Sequence, residues 1–163
     1  MFKKGDFVIY ETAGVCQVTD ISTVDIKGIA PDRLFYFLEP LHSKGSRLYI
    51  PVENHKSRMR PLLSQQEAGE LISSAGDLGD LSVPDEKHRE ENYKEALKSC
   101  DCREWVKVIN TLRHRKAERI SRGKKLPSMD ARYLKIAEEC LYTELSLVLD
   151  LPEEKIQSLI QND

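Results

Sequence analysis

Residues 2–21 read FKKGDFVIYETAGVCQVTDI, and this stretch decides the first half of the fold. A charged start leads into the short apolar run "DFVIYE", then a Gly-bearing turn, then a second apolar run. Short apolar runs bounded by Gly and polar residues read as strands. The second run, VCQVTDISTVDI, alternates imperfectly, which predicts a long, bent strand. Val18, Asp20, Ser22, Val24 and Ile26 fall on one face of it, with Val15, Gln17, Thr19, Ile21 and Thr23 on the other.

The pattern continues outward. "RLFYFLEPL" is rich in aromatic and aliphatic residues, as a core strand should be. "SRLYIPVEN" and "SRMRPL" read as two further short strands. Pro51 lacks a backbone donor, so its strand is expected at an edge or a bend. Several short strands separated by turns predict a small closed or half-closed barrel over 1–62.

Beyond Leu63 the period becomes helical. Ser64 with Glu67, and Asp101 with Glu104, have the spacing of capping boxes. Pro84, Ser128 and Pro152 read as helix starts, and Gly76, Gly123 and Pro127 as stops. Trp105, Val108 or Ile109, Leu112 and Ile120 form one apolar stripe. Leu134, Ala137, Leu141, Leu145 and Val148 form another. Trp105 is read as core rather than as a stacking residue. The segment SAGDLGDLSVP reads as a hinge or as a packed loop. The class expected is α+β, β then α, with an all-helical second domain over 63–163.

No run of about 18 apolar residues is present, and the start lacks a signal-peptide pattern. The expectation is a cytoplasmic protein with no membrane partner. Cys16, Cys100, Cys102 and Cys140 are scattered, without the two paired clusters a structural zinc wants, so they read as thiols with no metal. His42, His55, His88 and His114 lack ligand spacing. No Gly-rich phosphate loop, HExxH or GxSxG occurs, so no enzyme, cofactor or small-molecule substrate is expected.

The net charge of −2 hides a basic block. Between 103 and 125 lie Arg103, Lys107, Arg113, Arg115, Lys116, Arg119, Arg122, Lys124 and Lys125, opposed only by Glu104 and Glu118. Two readings stand: cations complementing a helix C-terminus, or contact with a phosphate backbone.

Gly5, Asp6, Val8, Tyr10, Gly14, Val18 and Ile21, then "FYFLEPL", then "IPVEN" from Ile50 to Asn54, then "MRPL", come in the order found in one family. With "NYKEALKSCDCREWVKVINTLRHRK" and "LYTELSLVL", the chain resembles the CarD/CdnL family of bacterial RNA polymerase-binding transcription regulators. The same small domain occurs in transcription-repair coupling factors. The resemblance implies a Tudor-like barrel that docks on the polymerase β subunit, at its lobe or protrusion, through Val24, Lys27, Arg47, Tyr49 and Pro51. Val24 and Tyr49 stand where better-known members carry arginines. It also implies a helical domain near promoter DNA that stabilises the open complex. The family's wedge Trp is matched here by Arg89, beside His88. The DNA-facing set is thus His88, Arg89, Arg113, Arg115, Lys116, Arg119, Arg122, Lys124 and Lys125. The alternatives are a polymerase-independent nucleic-acid binder using 103–125, and a scaffold for another partner.

Overall fold

The computed structural model describes residues 1–53 and 59–161, and the Asn54 and His55 readings lie outside them. The chain is α+β and divides into two compact units, Met1–Leu62 and Leu63–Asp163.

The first unit is a five-stranded antiparallel sheet: β1 (Phe7–Tyr10), β2 (Gly14–Thr23), β3 (Leu34–Pro40), β4 (Leu48–Pro51) and β5 (Met59–Pro61). The spatial order is β4-β3-β2-β1-β5, so Pro51 and Pro61 end the two edge strands, where a missing donor costs no ladder bond, while Pro40 stands at the very end of the interior strand β3.

The KKGD start has a specific task. Gly5, at φ +93, turns the chain, and the Asp6 carboxylate accepts the Lys3 N–H at 2.8 Å. The Gly5 N–H then donates to the Val18 carbonyl at 2.7 Å, and the Val18 N–H to the Asp6 carbonyl at 2.8 Å. The opening residues therefore pin themselves to the middle of β2.

At that point the register shifts. Val18 stands opposite Leu38 and Asp20 opposite Phe37, leaving Thr19 as the extra residue of a bulge. The Thr19 hydroxyl donates to the Phe37 carbonyl at 3.1 Å. The bulge corrects the two-face reading of β2. Cys16 and Val18 point into the core, and past the bulge Ile21 joins them instead of facing away. β2 ends at Thr23, so Val24 and Ile26 are not strand residues. The core of this unit is Val8, Cys16, Val18, Tyr36, Leu38 and Ile50, with Phe2, Tyr10 and Met59 against it.

The second unit holds α1 (Gln65–Ser74), α2 (Arg89–Lys98), α3 (Cys102–Ser121), α4 (Ser128–Leu149) and α5 (Glu153–Gln161). Ser64 and Glu67 form the capping box: the Ser64 hydroxyl accepts the Glu67 N–H at 3.0 Å, and Glu67 accepts the Ser64 N–H at 3.1 Å. Asp101 caps α3 through the Arg103 N–H at 2.9 Å, while Glu104 pairs with Lys107 instead of completing a box. Pro84 does not start α2. Asp85 caps a 3-10 turn, Glu86–His88, and α2 follows it. Ser128 is the first residue of α4 rather than its cap. Gly123, at φ +71, closes α3: the Lys124 N–H reaches the Arg119 carbonyl and the Gly123 N–H the Ile120 carbonyl, the paired bonds of a Schellman turn.

Trp105, Val108, Ile109 and Leu112 are buried together with Leu134, Ala137, Leu141 and Leu145. The Trp105 indole N–H donates to the Leu97 carbonyl at 3.2 Å, which settles it as a core residue. Ile120 departs from the expected stripe and is 59% exposed. The segment after α1 is a packed loop. The Asn110 amide donates to the Ala75 and Gly79 carbonyls, and the Leu81 N–H to the Thr111 hydroxyl at 2.7 Å.

Candidate functional site

The free side of β4 carries the first group of candidate residues. Strand alternation sends Leu48 and Ile50 toward the core and leaves Tyr49 half exposed. Tyr49 is registered opposite Phe37, with ring centroids 5.0 Å apart and an edge-on angle of 84°. Pro51 is registered opposite Phe35, and the Arg33 guanidinium lies 5.6 Å from the Phe35 ring centroid. The structure thus brings Tyr49 and Pro51 onto one face with Phe37 and Phe35, and Arg47 is exposed just before β4. Val24 and Lys27 lie in the connection after β2, half-buried and exposed respectively. Arg33, Phe35 and Phe37 share this face and were not singled out from the sequence; Phe35 itself is buried. Their period-two spacing in "RLFYF" is the signal that finds them.

The second group splits into paired and open cations. Asp130, in the first turn of α4, is fully buried. Arg89 reaches it with Nε to Oδ1 at 3.1 Å and Nη2 to Oδ2 at 3.3 Å, and Arg115 adds Nε to Oδ2 at 3.1 Å. Arg115 also holds Glu86 at 3.1 Å, so one carboxylate and two guanidiniums tie the 3-10 turn, α3 and α4 together. The hydrogen bond that Arg89 donates to Asp130 raises the pKa of Arg89, which keeps the guanidinium charged. Tyr93 hydrogen-bonds to the same carboxylate, and burial pushes its phenol up to about 12. Arg89 is therefore turned to structural work at the position where the resemblance places a wedge.

Other members of the basic block also have partners within the fold. Arg113 binds Glu138 at 3.3 Å and the Tyr142 hydroxyl. Arg119 donates to the Lys125 carbonyl at 2.6 Å, and Arg122 pairs with Glu118 at 3.0 Å. His88 is exposed and pairs with Asp85 at 2.7 Å. Lys116, Lys124 and Lys125 are exposed and have no side-chain ion pair among the described residues. The sequence reading counted charges. Only the fold shows which of them already have partners.

Two family models match the chain in order. The CarD-like/TRCF RID domain covers residues 2–63 and the CarD C-terminal domain covers 79–161. The chain belongs to the CarD family. Its domains are those of RNA polymerase-interacting transcription regulators. No curated protein matches the chain. In this CarD-family chain α1 falls in the stretch between the two matched regions.

All four cysteines are buried thiols outside any disulfide, and burial pushes Cys16 up to about 12. Among the described residues no three His, Cys, Asp or Glu side chains group as metal ligands. No helix among them is long and apolar enough to cross a membrane.

Proposed function

We propose that this CarD-family chain regulates transcription initiation by docking on the β subunit of RNA polymerase, at its lobe or protrusion. The β4 side of the first unit supplies the docking surface. The observation that carries the reading is Tyr49, half exposed on an edge strand and braced edge-on by Phe37. An edge strand offers unpaired backbone groups that extend a partner's sheet. A fixed aromatic ring beside it adds contact area at little entropic cost. Arg47, Pro51, Lys27 and Val24 complete the surface.

The helical unit then meets promoter DNA and stabilises the open complex. Lys116, Lys124 and Lys125 support this part, because their charge is not spent within the fold. Arg89, Arg113 and Arg115 act chiefly through the packing of α2, α3 and α4.

Binding of the purified chain to an isolated β-lobe fragment, beside a Tyr49→Glu variant, tests the docking. The wild type binds and the variant does not. A wild type that leaves the fragment untouched overturns the reading. The second reading, nucleic-acid binding without polymerase, would instead show salt-steep DNA affinity in the absence of any β-lobe contact.

A further inference from the structure

The connection from β2 to β3 closes with a turn over Ala30 to Arg33. The Arg33 N–H donates to the Ala30 carbonyl at 3.2 Å, and Pro31 holds the second position. That turn fixes the Arg33 backbone immediately before β3 begins. The side chain is fixed as well, with its guanidinium 5.6 Å from the centroid of the Phe35 ring. Phe35 is buried and stands opposite Pro51, and Phe37 stands opposite Tyr49. The cation therefore caps one end of the aromatic face beside the free edge of β4. Arg89, Arg113 and Arg115, equally well held, each grip a carboxylate. Arg33 is exposed, and among the described residues no carboxylate pairs with it.

A guanidinium stacked on a ring keeps the N–H donors along its edge free. They form a rigid fork that fits a carboxylate at two points. Turn and ring already hold Arg33, so little freedom is lost when it pairs. Net charge does not select the partner here, because Lys27 is exposed in the same connection but so are Asp25 and Asp32. On such a mixed surface one oriented contact discriminates more than the overall field does. We infer that Arg33 is the specificity-determining cation of the docking surface, gripping an aspartate or glutamate side chain of the polymerase β subunit through both donors of its fork. This rests on the reading that the β4 side docks on that subunit, and it adds the chemistry of the group that faces Phe35 and Phe37 there.

The test measures binding of the full chain to intact bacterial core RNA polymerase. The wild type should bind, and Arg33→Met should weaken it about tenfold or more. Arg33→Lys keeps the charge but loses the fork and the stack, so it should lose nearly as much as Arg33→Met. Both should keep the wild-type thermal transition, since the side chain is exposed. Arg33→Glu should bind least. Among polymerases with single lobe carboxylates changed to lysine, one should bind the wild type poorly and restore binding to Arg33→Glu. Affinity within about twofold of the wild type for Arg33→Met or Arg33→Lys overturns the grip. If Tyr49→Glu still abolishes binding in that case, the docking reading stands without it. Failure of every lysine change to rescue Arg33→Glu overturns the carboxylate assignment. A wild type that leaves the polymerase unbound removes both readings.

Discussion

Arg89 and Asp130 form a two-point grip, Nε to Oδ1 at 3.1 Å and Nη2 to Oδ2 at 3.3 Å, between the start of α2 and the first turn of α4. Asp130 is wholly buried and serves Arg115 as well. Removing its charge strands two guanidiniums that are themselves mostly covered. Asp130→Asn should therefore destabilise the helical unit by about 3 kcal/mol. Arg89→Met should cost less, because Arg115 still neutralises the carboxylate. Urea unfolding followed by Trp105 fluorescence ranks the two variants, and equal midpoints for Asp130→Asn and the wild type would contradict the assignment.

Glu144 is the other buried carboxylate of α4. Its Oε2 accepts the Leu63 N–H at 2.8 Å and its Oε1 the Cys102 thiol at 3.2 Å. It thereby fastens the first residue of the helical unit and the first turn of α3. Glu144→Leu leaves the partly buried Leu63 donor without its acceptor, a loss of about 1–2 kcal/mol. Glu144→Gln keeps one carbonyl oxygen and should lose less. Hydrogen exchange at the Leu63 amide reads the contact directly, and it should accelerate most in the leucine variant.

Tyr49 and Phe37 separate docking from folding. The ring pair contributes about 1 kcal/mol at most to the fold. Tyr49→Ala should leave the thermal transition nearly in place while weakening β-lobe binding about tenfold or more. A variant that lowers both together would mark Tyr49 as a packing residue only.

Alkaline pH should destabilise both units. Burial raises the Cys16 thiol from 9.0 to about 12, and burial raises the Tyr93 phenol from 10.0 to about 12. The folded chain therefore holds protons that the unfolded chain has already released. The stability tied to Cys16 is complete below pH 9 and disappears as pH climbs toward about 12. For Tyr93 the loss begins near pH 10. Thermal melts across that range check the sign, and Cys16→Ala should remove the earlier part of the slope. The same burial makes Cys16 slow toward alkylating reagents in the folded state.

Much of the fold was legible in the chain because its signals are local. The strand runs, the Ser64 and Glu67 capping box, the Gly123 stop and the core character of Trp105 depend on residues a few positions apart. The order of the family's residues in both halves was legible for the same reason. The Thr19 bulge was hidden. It exists because Val18 is bonded to the Asp6 backbone while β3 sets the register beyond it, and no single strand carries that conflict.

The candidate sites divide along the same line. The sequence by itself determined the β-then-α order, the family and the inventory of cations at the end of α3. Tertiary structure decided which cations remain available, since a charge is spent or open according to a partner dozens of residues away. Arg89 and Arg115 close on Asp130, and Arg113 closes on Glu138, while Lys116, Lys124 and Lys125 stay in water. It also turned Ile120 from an expected core position into an exposed one, because α3 outruns the layer that packs against it.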